Sequence, residues 1–266
     1  MNREECLTRL VEAFKEDSVT YKDLKTPEES EGKRQLLRSL MNIRMPKKID
    51  AETLKLQDEY LTERNRDRGI VSIEDIPLVR KKISLWQGDI TRLSVDAIVN
   101  AANSQMLGCF IPMHSCIDNC IHTYAGIELR QECYEKMEAL KKKYGPDYEQ
   151  PVGEPMLTQG YNLPARKVIH VVGPMVTGFL NKQLEEDLRR CYVNTLDLCK
   201  ENGIRSVAFC CISTGVFRFP NEKAAKIAVE CVEKWIEENE DGIDRVIFNV
   251  FLDKDLEIYE RLLRKR

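Results

Sequence analysis

The amino-acid sequence predicts an α/β protein in which helices cover both faces of a mostly parallel or mixed sheet, preceded by a helical N-terminal segment. Up to about residue 68, apolar side chains recur at helical spacing. From Ile83 onward, short runs rich in Val, Ile and Phe alternate with long amphipathic stretches, which is the pattern of strands alternating with helices. At 266 residues the chain is long enough for one domain with an extension, or for two domains.

The N-terminal segment predicts three helices and carries no chemical motif. Each helix is indicated by apolar residues at helical spacing, namely Leu7, Leu10, Val11 and Phe14, then Leu36, Leu37, Leu40 and Met41, and then Leu54, Tyr60 and Leu61. Polar residues around Pro27 and Pro46 mark the breaks, and Gly69 ends the third helix. We therefore divide the chain into a helical extension, residues 1–75, and an α/β domain, residues 76–266. Because every motif described below lies beyond residue 75, we expect the extension to be dispensable for the ligand pocket.

The α/β domain predicts five strands and four helices. Strands are expected at 83–87, 96–100, 167–172, 206–212 and 245–251. Helices are expected at 118–143, 182–202, 222–239 and 254–264. Ligands bind such sheets beyond the carboxyl ends of the strands. Asn100 and Ser213 both lie near predicted strand ends, so we expect them on one rim of the sheet.

Composition and charge exclude several classes of protein. A net charge of −3 without a basic stripe argues against nucleic acid as a main partner. The start, MNREECLTRLVEAFKED, does not have the pattern of a signal peptide, and no apolar run approaches membrane-spanning length, so we expect no membrane partner. The ten cysteines are spread through predicted strands and helices, where they behave as small hydrophobic residues. A reducing, cytoplasmic compartment fits that distribution better than a disulfide scaffold does.

The first candidate binding element is Gly88-Asp89-Ile90, directly after a predicted strand. The Asp89 carboxylate can accept a hydrogen bond from an exocyclic amine while the backbone N–H of Ile90 contacts a ring nitrogen, which is one way to hold adenine. The alternative is a turn aspartate that caps its own backbone, and for an isolated motif turn statistics favour that alternative.

The second element is Asn100-Ala101-Ala102-Asn103, at a predicted strand end. Its two amides can bond sugar hydroxyls, and the small alanines allow close approach of the backbone. An isolated motif of this kind is more often an asparagine-rich turn.

The third element is the loop Ser213-Thr214-Gly215-Val216-Phe217, which follows an apolar predicted strand. Successive backbone N–H groups around a glycine form an anion-binding concavity that suits a diphosphate. Taken alone this signal is weak, because any loop between a strand and a helix can have such a sequence.

The fourth element is a set of metal-binding residue types, Cys109, His114 and Cys116. Cysteine and histidine are preferred zinc ligands, and three protein ligands with an open fourth position are typical of catalytic zinc. The alternative is two buried thiols beside an unrelated histidine. The spacing differs from the paired cysteines of structural zinc fingers, which makes a purely structural metal site the less favoured metal interpretation.

Four segments of the sequence carry a resemblance to a known family, in the order VDAIVNAAN, IDNCIHTYAG, GEPMLTQGYNLPARKVIHVVGP and CISTGVFRFP. Together they resemble the macrodomains, which bind ADP-ribose, from about Ile83 to the C-terminus. More narrowly, the chain is similar to the zinc-dependent macrodomains that are linked to M-class sirtuins in microbes and also carry a helical N-terminal extension. The resemblance implies a three-layer α/β/α fold with a mixed sheet.

One departure from the common macrodomain pattern concerns the loop after the second asparagine. Most members have a short glycine-rich loop there, whereas this chain has a longer loop that contains the cysteines and the histidine. The zinc-dependent subfamily carries its ligands at this spacing, so the resemblance implies Zn²⁺ at Cys109, His114 and Cys116. Asp118 matches the acid of hydrolytic macrodomains. Arg218 stands where a glycine is common.

The resemblance implies a zinc-dependent hydrolase that removes mono-ADP-ribose from modified protein side chains. Asp89, Ile90 and Phe251 would bind adenine, and Ser213 to Phe217 would bind the diphosphate. Asn103 would orient the distal ribose, with Asp118 and the zinc ion acting on the reacting bond. An M-class sirtuin and its lipoyl-carrier-like target are the implied protein partners.

Two other activities stay open from the sequence. The chain can be a non-catalytic module that binds ADP-ribose, or an esterase acting on O-acetyl-ADP-ribose. Asp118 together with the metal-binding residue types favours catalysis, because a binding module needs neither.

Overall fold

The computed structural model describes residues 2–264, whose regular elements form two compact units. The helices are α1 (Arg3–Glu16), α2 (Ser30–Ile43), α3 (Ala51–Asp67), α4 (Ile117–Ala125), α5 (Ile127–Tyr144), α6 (Lys182–Glu201), α7 (Asn221–Glu238) and α8 (Asp253–Arg264). The strands are β1 (Val71–Ser72), β2 (Leu78–Arg80), β3 (Ile83–Gln87), β4 (Leu93–Ser94), β5 (Ala97–Ala102), β6 (Met156–Gln159), β7 (Lys167–Val172), β8 (Ser206–Phe209) and β9 (Arg245–Val250). None of the helices in this described part combines the length and the hydrophobicity needed to cross a membrane.

The first unit is helical and comprises Met1–Gly69, Leu107–Pro146 and Tyr161–Leu163. It contains α1 to α5. The three N-terminal helices expected from the sequence are present, and α1 begins with a capping box between Asn2 and Glu5. Their apolar faces form one core that includes Leu7, Leu10, Val11, Phe14, Leu37, Leu40, Met41, Leu56 and Leu61. The chain boundary between residues 75 and 76 stays a prediction.

The expected helix at 118–143 is two helices, α4 and α5, separated by Gly126. Gly126 has a φ of 99°, a conformation that glycine adopts readily and that ends a helix. A Cβ atom there would lie 2.8 Å from Nε2 of Gln57, so no larger residue fits without a shift. The side chain of Gln57 instead accepts a hydrogen bond from Ile127 N, the first N–H of α5, at 2.9 Å.

The second unit comprises Ile70–Met106, Asp147–Gly160 and Pro164–Arg266 and holds the sheet with α6 to α8. Seven strands follow the order β2-β3-β9-β8-β5-β7-β6. The five central strands are parallel, while the edge strands β2 and β6 pair antiparallel with β3 and β7. The mixed sheet expected from the sequence is therefore confirmed. Helix α6 packs against β7, and α8 packs against β2, β3 and β9.

The predicted strands fit β3, β7 and β9 closely, and two others differ at their ends. The strand expected at 206–212 ends at Phe209, because Cys210 O accepts from Ile212 N at 2.9 Å in a tight turn. The strand expected at 96–100 runs instead from Ala97 to Ala102. Strands β1, β2, β4 and β6 were not expected, and each has four residues or fewer.

Candidate functional site

The carboxyl ends of the parallel strands bring four predicted binding elements to one edge of the sheet. Asp89 follows β3, Phe251 follows β9, Ser213 follows β8 and Asn103 follows β5. These strands are parallel neighbours in the order β3-β9-β8-β5. These four elements therefore lie at the edge where open α/β sheets bind ligands. Of the two residues expected on this rim, Ser213 follows its strand, whereas Asn100 lies inside β5.

The loop that contains Asp89 is joined to the end of β9 by three hydrogen bonds. Gly88 N donates to Val250 O at 2.9 Å, and Asn249 Nδ2 donates to Gly88 O at 2.9 Å. Gln87 Nε2 donates to Phe251 O at 3.3 Å. These bonds set the Asp89 turn beside Phe251, whose side chain is 71% exposed.

Asp89 itself caps the short 3₁₀ turn Ile90–Arg92. Its Oδ1 accepts from Thr91 N at 3.0 Å and from the Thr91 hydroxyl at 2.6 Å. The local capping role that turn statistics favour is therefore present, and binding of adenine by Asp89 and Ile90 stays a prediction. Ile90 is buried, so only its backbone is available for such a contact.

The loop from Ser213 to Phe217 begins with a left-handed residue. Ser213 has a φ of 66°, and its carbonyl oxygen accepts from Phe219 N at 2.9 Å. Its Oγ is buried and has no hydrogen-bond partner among residues 2–264. A Cβ atom on Gly173 would lie 2.2 Å from that Oγ, so only glycine fits at the end of β7 beside this loop.

Three successive backbone N–H groups of this loop, those of Gly215, Val216 and Phe217, donate to no acceptor within the described part of the chain. Gly215 and Val216 are exposed. The neighbouring amide of Arg218 donates to Gly215 O at 3.0 Å, and Phe217 O accepts from Val176 N at 2.9 Å. A loop held by such bonds, with successive amides that have no acceptor among the described residues, is an arrangement that suits phosphate oxygens.

Arg218, which stands where a glycine is common, has a backbone conformation that glycine adopts readily. Its φ is 58°, so it adopts the left-handed conformation itself.

The two asparagines of the NAAN motif have different environments. Asn100 is fully buried in β5, and its Nδ2 lies 3.0 Å from Nδ1 of His170, whose Nε2 lies 2.9 Å from the Thr158 hydroxyl. The expectation that both amides bond sugar hydroxyls is therefore wrong for Asn100, which belongs to a polar group in the core. Asn103 lies just past β5, with its Oδ1 accepting from Gln105 N at 3.1 Å, and its contact with ribose stays a prediction.

The three candidate metal ligands come together in the helical unit. Their donor atoms (Cys109 Sγ, a ring nitrogen of His114 and Cys116 Sγ) all lie within 4.8 Å of one another. Cys109 Sγ lies 3.4 Å from His114 Nδ1. A tetrahedral zinc ion with bonds of about 2.3 Å to sulfur and about 2.0 Å to nitrogen sets those two atoms about 3.5 Å apart. The donor types and their spacing thus fit a zinc ion, and the assignment of these three residues as metal ligands stays a prediction.

Cys116 is the N-cap of α4, and its Sγ accepts from Asn119 N at 3.4 Å. Burial raises the pKa of the Cys116 thiol to about 12, although the bond from Asn119 N acts in the opposite direction. A metal ion that binds this sulfur displaces its proton. The affinity for the metal is therefore expected to increase with pH.

Asp118 lies in the first turn of α4 and is buried. Its Oδ1 is 3.6 Å from Nε2 of His122, one turn further along the same helix. His122 and His170 are both buried. The catalytic role of Asp118 stays a prediction.

Asn119 lies in the first turn of α4, directly after the metal loop (residues 109–116). It was not singled out from the sequence. It is fully buried, and its Nδ2 donates to Ile111 O at 2.9 Å and to Cys109 O at 3.4 Å. The sequence signal for it is an asparagine in the first turn of a helix, next to cysteines.

Comparison with known proteins places these sites in a family. The Macro domain family model matches residues 99–228. A Treponema medium protein named protein-ADP-ribose hydrolase is 43% identical over 99% of this chain and 100% of its own length. This chain belongs to the macrodomain family.

Further relatives are similar over most of the chain. A Staphylococcus aureus (strain MSSA476) protein, also named protein-ADP-ribose hydrolase, is 42% identical to this macrodomain over 87% of this chain and 85% of its own. The crystal structure of a Trypanosoma brucei macrodomain in complex with ADP-ribose is 31% identical, with a TM-score of 0.65, and covers 85% of this chain and 94% of that one. The macrodomain α/β fold predicted from the sequence is thereby confirmed.

Proposed function

We propose that this macrodomain is a protein ADP-ribosyl hydrolase that removes mono-ADP-ribose from modified side chains with the help of Zn²⁺. The observation that carries the proposal is the run of backbone amides at Gly215, Val216 and Phe217, which donate to no acceptor among residues 2–264 and lie on the same sheet edge as Asp89 and Phe251. An anion-binding loop beside an exposed aromatic ring, with an acidic turn on the far side of that ring, suits an adenine nucleotide diphosphate. The names of the relatives support hydrolysis as the activity.

The nucleotide would extend along the rim of the sheet. Asp89 and the Ile90 amide would hold adenine, and the exposed ring of Phe251 would pack on it. The amides of the loop from Ser213 to Phe217 would bind the diphosphate, with Thr214 in the same loop. Asn103, which follows β5, would orient the distal ribose. In this arrangement the protein supplies binding energy far from the reacting bond, which helps to orient that bond.

Zn²⁺ would be held by Cys109, His114 and Cys116, whose donor atoms have the right types and spacing. A zinc ion with an open fourth position supplies Lewis acidity toward a ribose hydroxyl or a water molecule.

Asp118 would hold the proton removed from the attacking water. Its carboxylate is buried in the first turn of α4, with Oδ1 3.6 Å from Nε2 of His122. Asn103 and the ligand Cys109 are six positions apart in the sequence, and Asp118 is two positions after Cys116. The candidate catalytic residues thus belong to one stretch of the chain.

The protein partners are proposed from the resemblance. They are an M-class sirtuin, which would add the modification, and a lipoyl-carrier-like protein that would bear it.

A time course on a mono-ADP-ribosylated protein tests the function. Wild-type enzyme should release ADP-ribose and contain about one zinc ion per chain by elemental analysis. Asp118→Asn should slow release by about 10²–10⁴-fold, the usual effect of losing a general base. Cys116→Ala should lose zinc and activity, while both variants keep wild-type affinity for ADP-ribose by calorimetry.

The outcomes separate the alternatives. Affinity for ADP-ribose without turnover by wild type would favour a non-catalytic binding module. Turnover of O-acetyl-ADP-ribose alone would favour the esterase. Wild-type rates in Asp118→Asn and Cys116→Ala would remove both proposed catalytic groups.

A further inference from the structure

Helix α2 of the N-terminal segment holds the metal loop at two consecutive residues. Arg38 Nη2 donates to His114 O at 2.8 Å, and Asn42 Oδ1 accepts from Met113 N at 3.1 Å. Arg38 and Asn42 are four positions apart, so they lie on the same face of α2. Both contacts are within the helical unit, and both act on the residue that bears the imidazole or on its immediate neighbour.

The loop needs such support because its backbone is strained at that point. Met113 has a φ of 58°, which costs a residue with a side chain about 1 kcal/mol or more. The bond from Met113 N to the buried Asn42 side chain holds this conformation and thereby fixes the direction in which His114 leaves the backbone.

Arg38 also acts on the two cysteines through Asn119. The same Nη2 donates to Asn119 Oδ1 at 2.9 Å. Asn119 in turn donates its side-chain amide to Cys109 O at 3.4 Å and its backbone amide to Cys116 Sγ at 3.4 Å. One guanidinium therefore contacts the backbone of the histidine directly and the two cysteine residues through one intermediate residue, Asn119.

A second arginine fastens the start of the metal loop to the end of α2. The buried guanidinium of Arg130 donates to Leu107 O at 2.7 Å and to the carbonyl oxygens of Met41, Asn42 and Arg44 at 2.7–3.0 Å. The last carbonyls of a helix have no partner inside it, so a cation there is favourable. Burial lowers the pKa of Arg130 to about 10.

We propose that Arg38 and Asn42 are positioning residues for the metal centre. Helix α2 would thus hold the metal ligands in the geometry that binds zinc. This inference rests on the proposed zinc site and assigns to the N-terminal segment a role that its sequence does not indicate. Hydrogen-bonded residues behind metal ligands typically contribute a factor of 10–100 in metal affinity. The same loss is expected when Arg38 is removed.

The test measures metal affinity and coordination geometry in the full-length chain. Zinc affinity is determined by competition with a chelator, and the absorption spectrum of the Co²⁺-loaded protein reports the geometry at the metal. Arg38→Ala should weaken zinc binding by about 10–100-fold and change the Co²⁺ spectrum. Arg38→Lys, which keeps one cationic donor, should recover part of the affinity. Asn42→Ala should act in the same direction as Arg38→Ala.

Arg34 offers a matched control on the same helix. It lies one turn before Arg38 and pairs with Glu31 at 2.8 Å, with no bond to the metal loop. Arg34→Ala should keep wild-type zinc affinity and spectrum. Affinity for ADP-ribose, measured on every variant, should stay within about threefold of wild type and shows that the variant is folded.

Two results would overturn the proposal, and they differ from each other. If wild type binds Zn²⁺ but Arg38→Ala and Asn42→Ala bind it equally well with the same Co²⁺ spectrum, α2 does not position the site. If wild type binds neither Zn²⁺ nor Co²⁺, the metal site of the proposed function is wrong and the positioning role falls with it.

Discussion

At the scale of single residues, Asp89 shows how one side chain can have a structural and a ligand-binding role. Its Oδ1 is bonded to Thr91 N and to the Thr91 hydroxyl. Replacement by alanine would therefore remove the cap and the proposed adenine contact together, and the cap alone contributes about 0.5–2 kcal/mol. A more selective change is needed to separate the two roles.

Asp89→Asn makes that separation. Asparagine keeps one oxygen for the cap but replaces the other carboxylate oxygen with an amide that donates, which opposes the adenine amine. We expect the free energy of binding ADP-ribose to become less favourable by roughly 1–3 kcal/mol, with little change in melting temperature. Calorimetry measures the first quantity and thermal unfolding the second. Unchanged affinity in Asp89→Asn would show that adenine binds elsewhere.

The sequence grouped candidate site residues best where few chemical roles suit the residue types. Cys109, His114 and Cys116 could be grouped because few other roles suit that combination, and they do come together. Asn100 was misjudged because an amide near a strand end can extend into the core as well as beyond it. Arg38 was missed because its partners lie 76 and 81 positions further along the chain, beyond the reach of any local pattern.

At the scale of elements, the sequence predicted long amphipathic helices and buried strands well. It missed edge strands such as β2 and β6, because three or four residues carry too little periodicity to detect. It also joined α4 to α5, because apolar residues continue at helical spacing across Gly126 and a single glycine is tolerated in many helices. The break depends on Gln57, a residue of another helix.

The packing of Gly173 against the Ser213 loop gives a prediction at this scale. In Gly173→Ala the new Cβ would meet Ser213 Oγ and lie 2.8 Å from Cγ2 of Ile212, so the diphosphate loop must shift. We expect weaker binding of ADP-ribose and a loss of about 1–3 kcal/mol in unfolding free energy.

Gly178 provides the control for that substitution. It lies in the same connection between β7 and α6, and a Cβ atom there would contact nothing within 4 Å. Gly178→Ala should therefore bind ADP-ribose as wild type does. Equal affinities in Gly173→Ala and Gly178→Ala, measured by calorimetry, would mean that the position of the Ser213 loop does not matter for the ligand.

At the scale of the whole molecule, buried thiols link stability to alkaline pH. Burial raises the pKa of seven cysteines outside the metal loop. It reaches about 12 for Cys191, Cys199 and Cys210, about 11 for Cys231, and further for Cys133 and Cys211, while that of Cys6 is raised as well. In the unfolded chain these thiols ionise near pH 8.5. Their contribution to stability is complete below that pH and is lost as the pH rises toward the folded-state values.

The unfolding free energy should therefore fall steeply between pH 9 and pH 10. Each thiol that ionises only in the unfolded chain contributes a loss of about 1.4 kcal/mol per pH unit. Urea unfolding in the presence of a reductant measures the slope, and Cys199→Ala should reduce it by the share of one thiol. A stability that stays constant from pH 8 to pH 10 would contradict the assignment of these groups as neutral buried thiols.

The interleaving of the two units along the chain has a consequence for synthesis on the ribosome. Gln57 and Asn65 are buried in α3, yet they bond to Ile127 N and to the carbonyls of Tyr124 and Asn162. Asn162 is made about 95 residues after α3 ends, which corresponds to roughly 5–20 s of translation. For that interval the nascent helices expose amides and apolar surface that chaperones bind, so the N-terminal helices are made first but completed late.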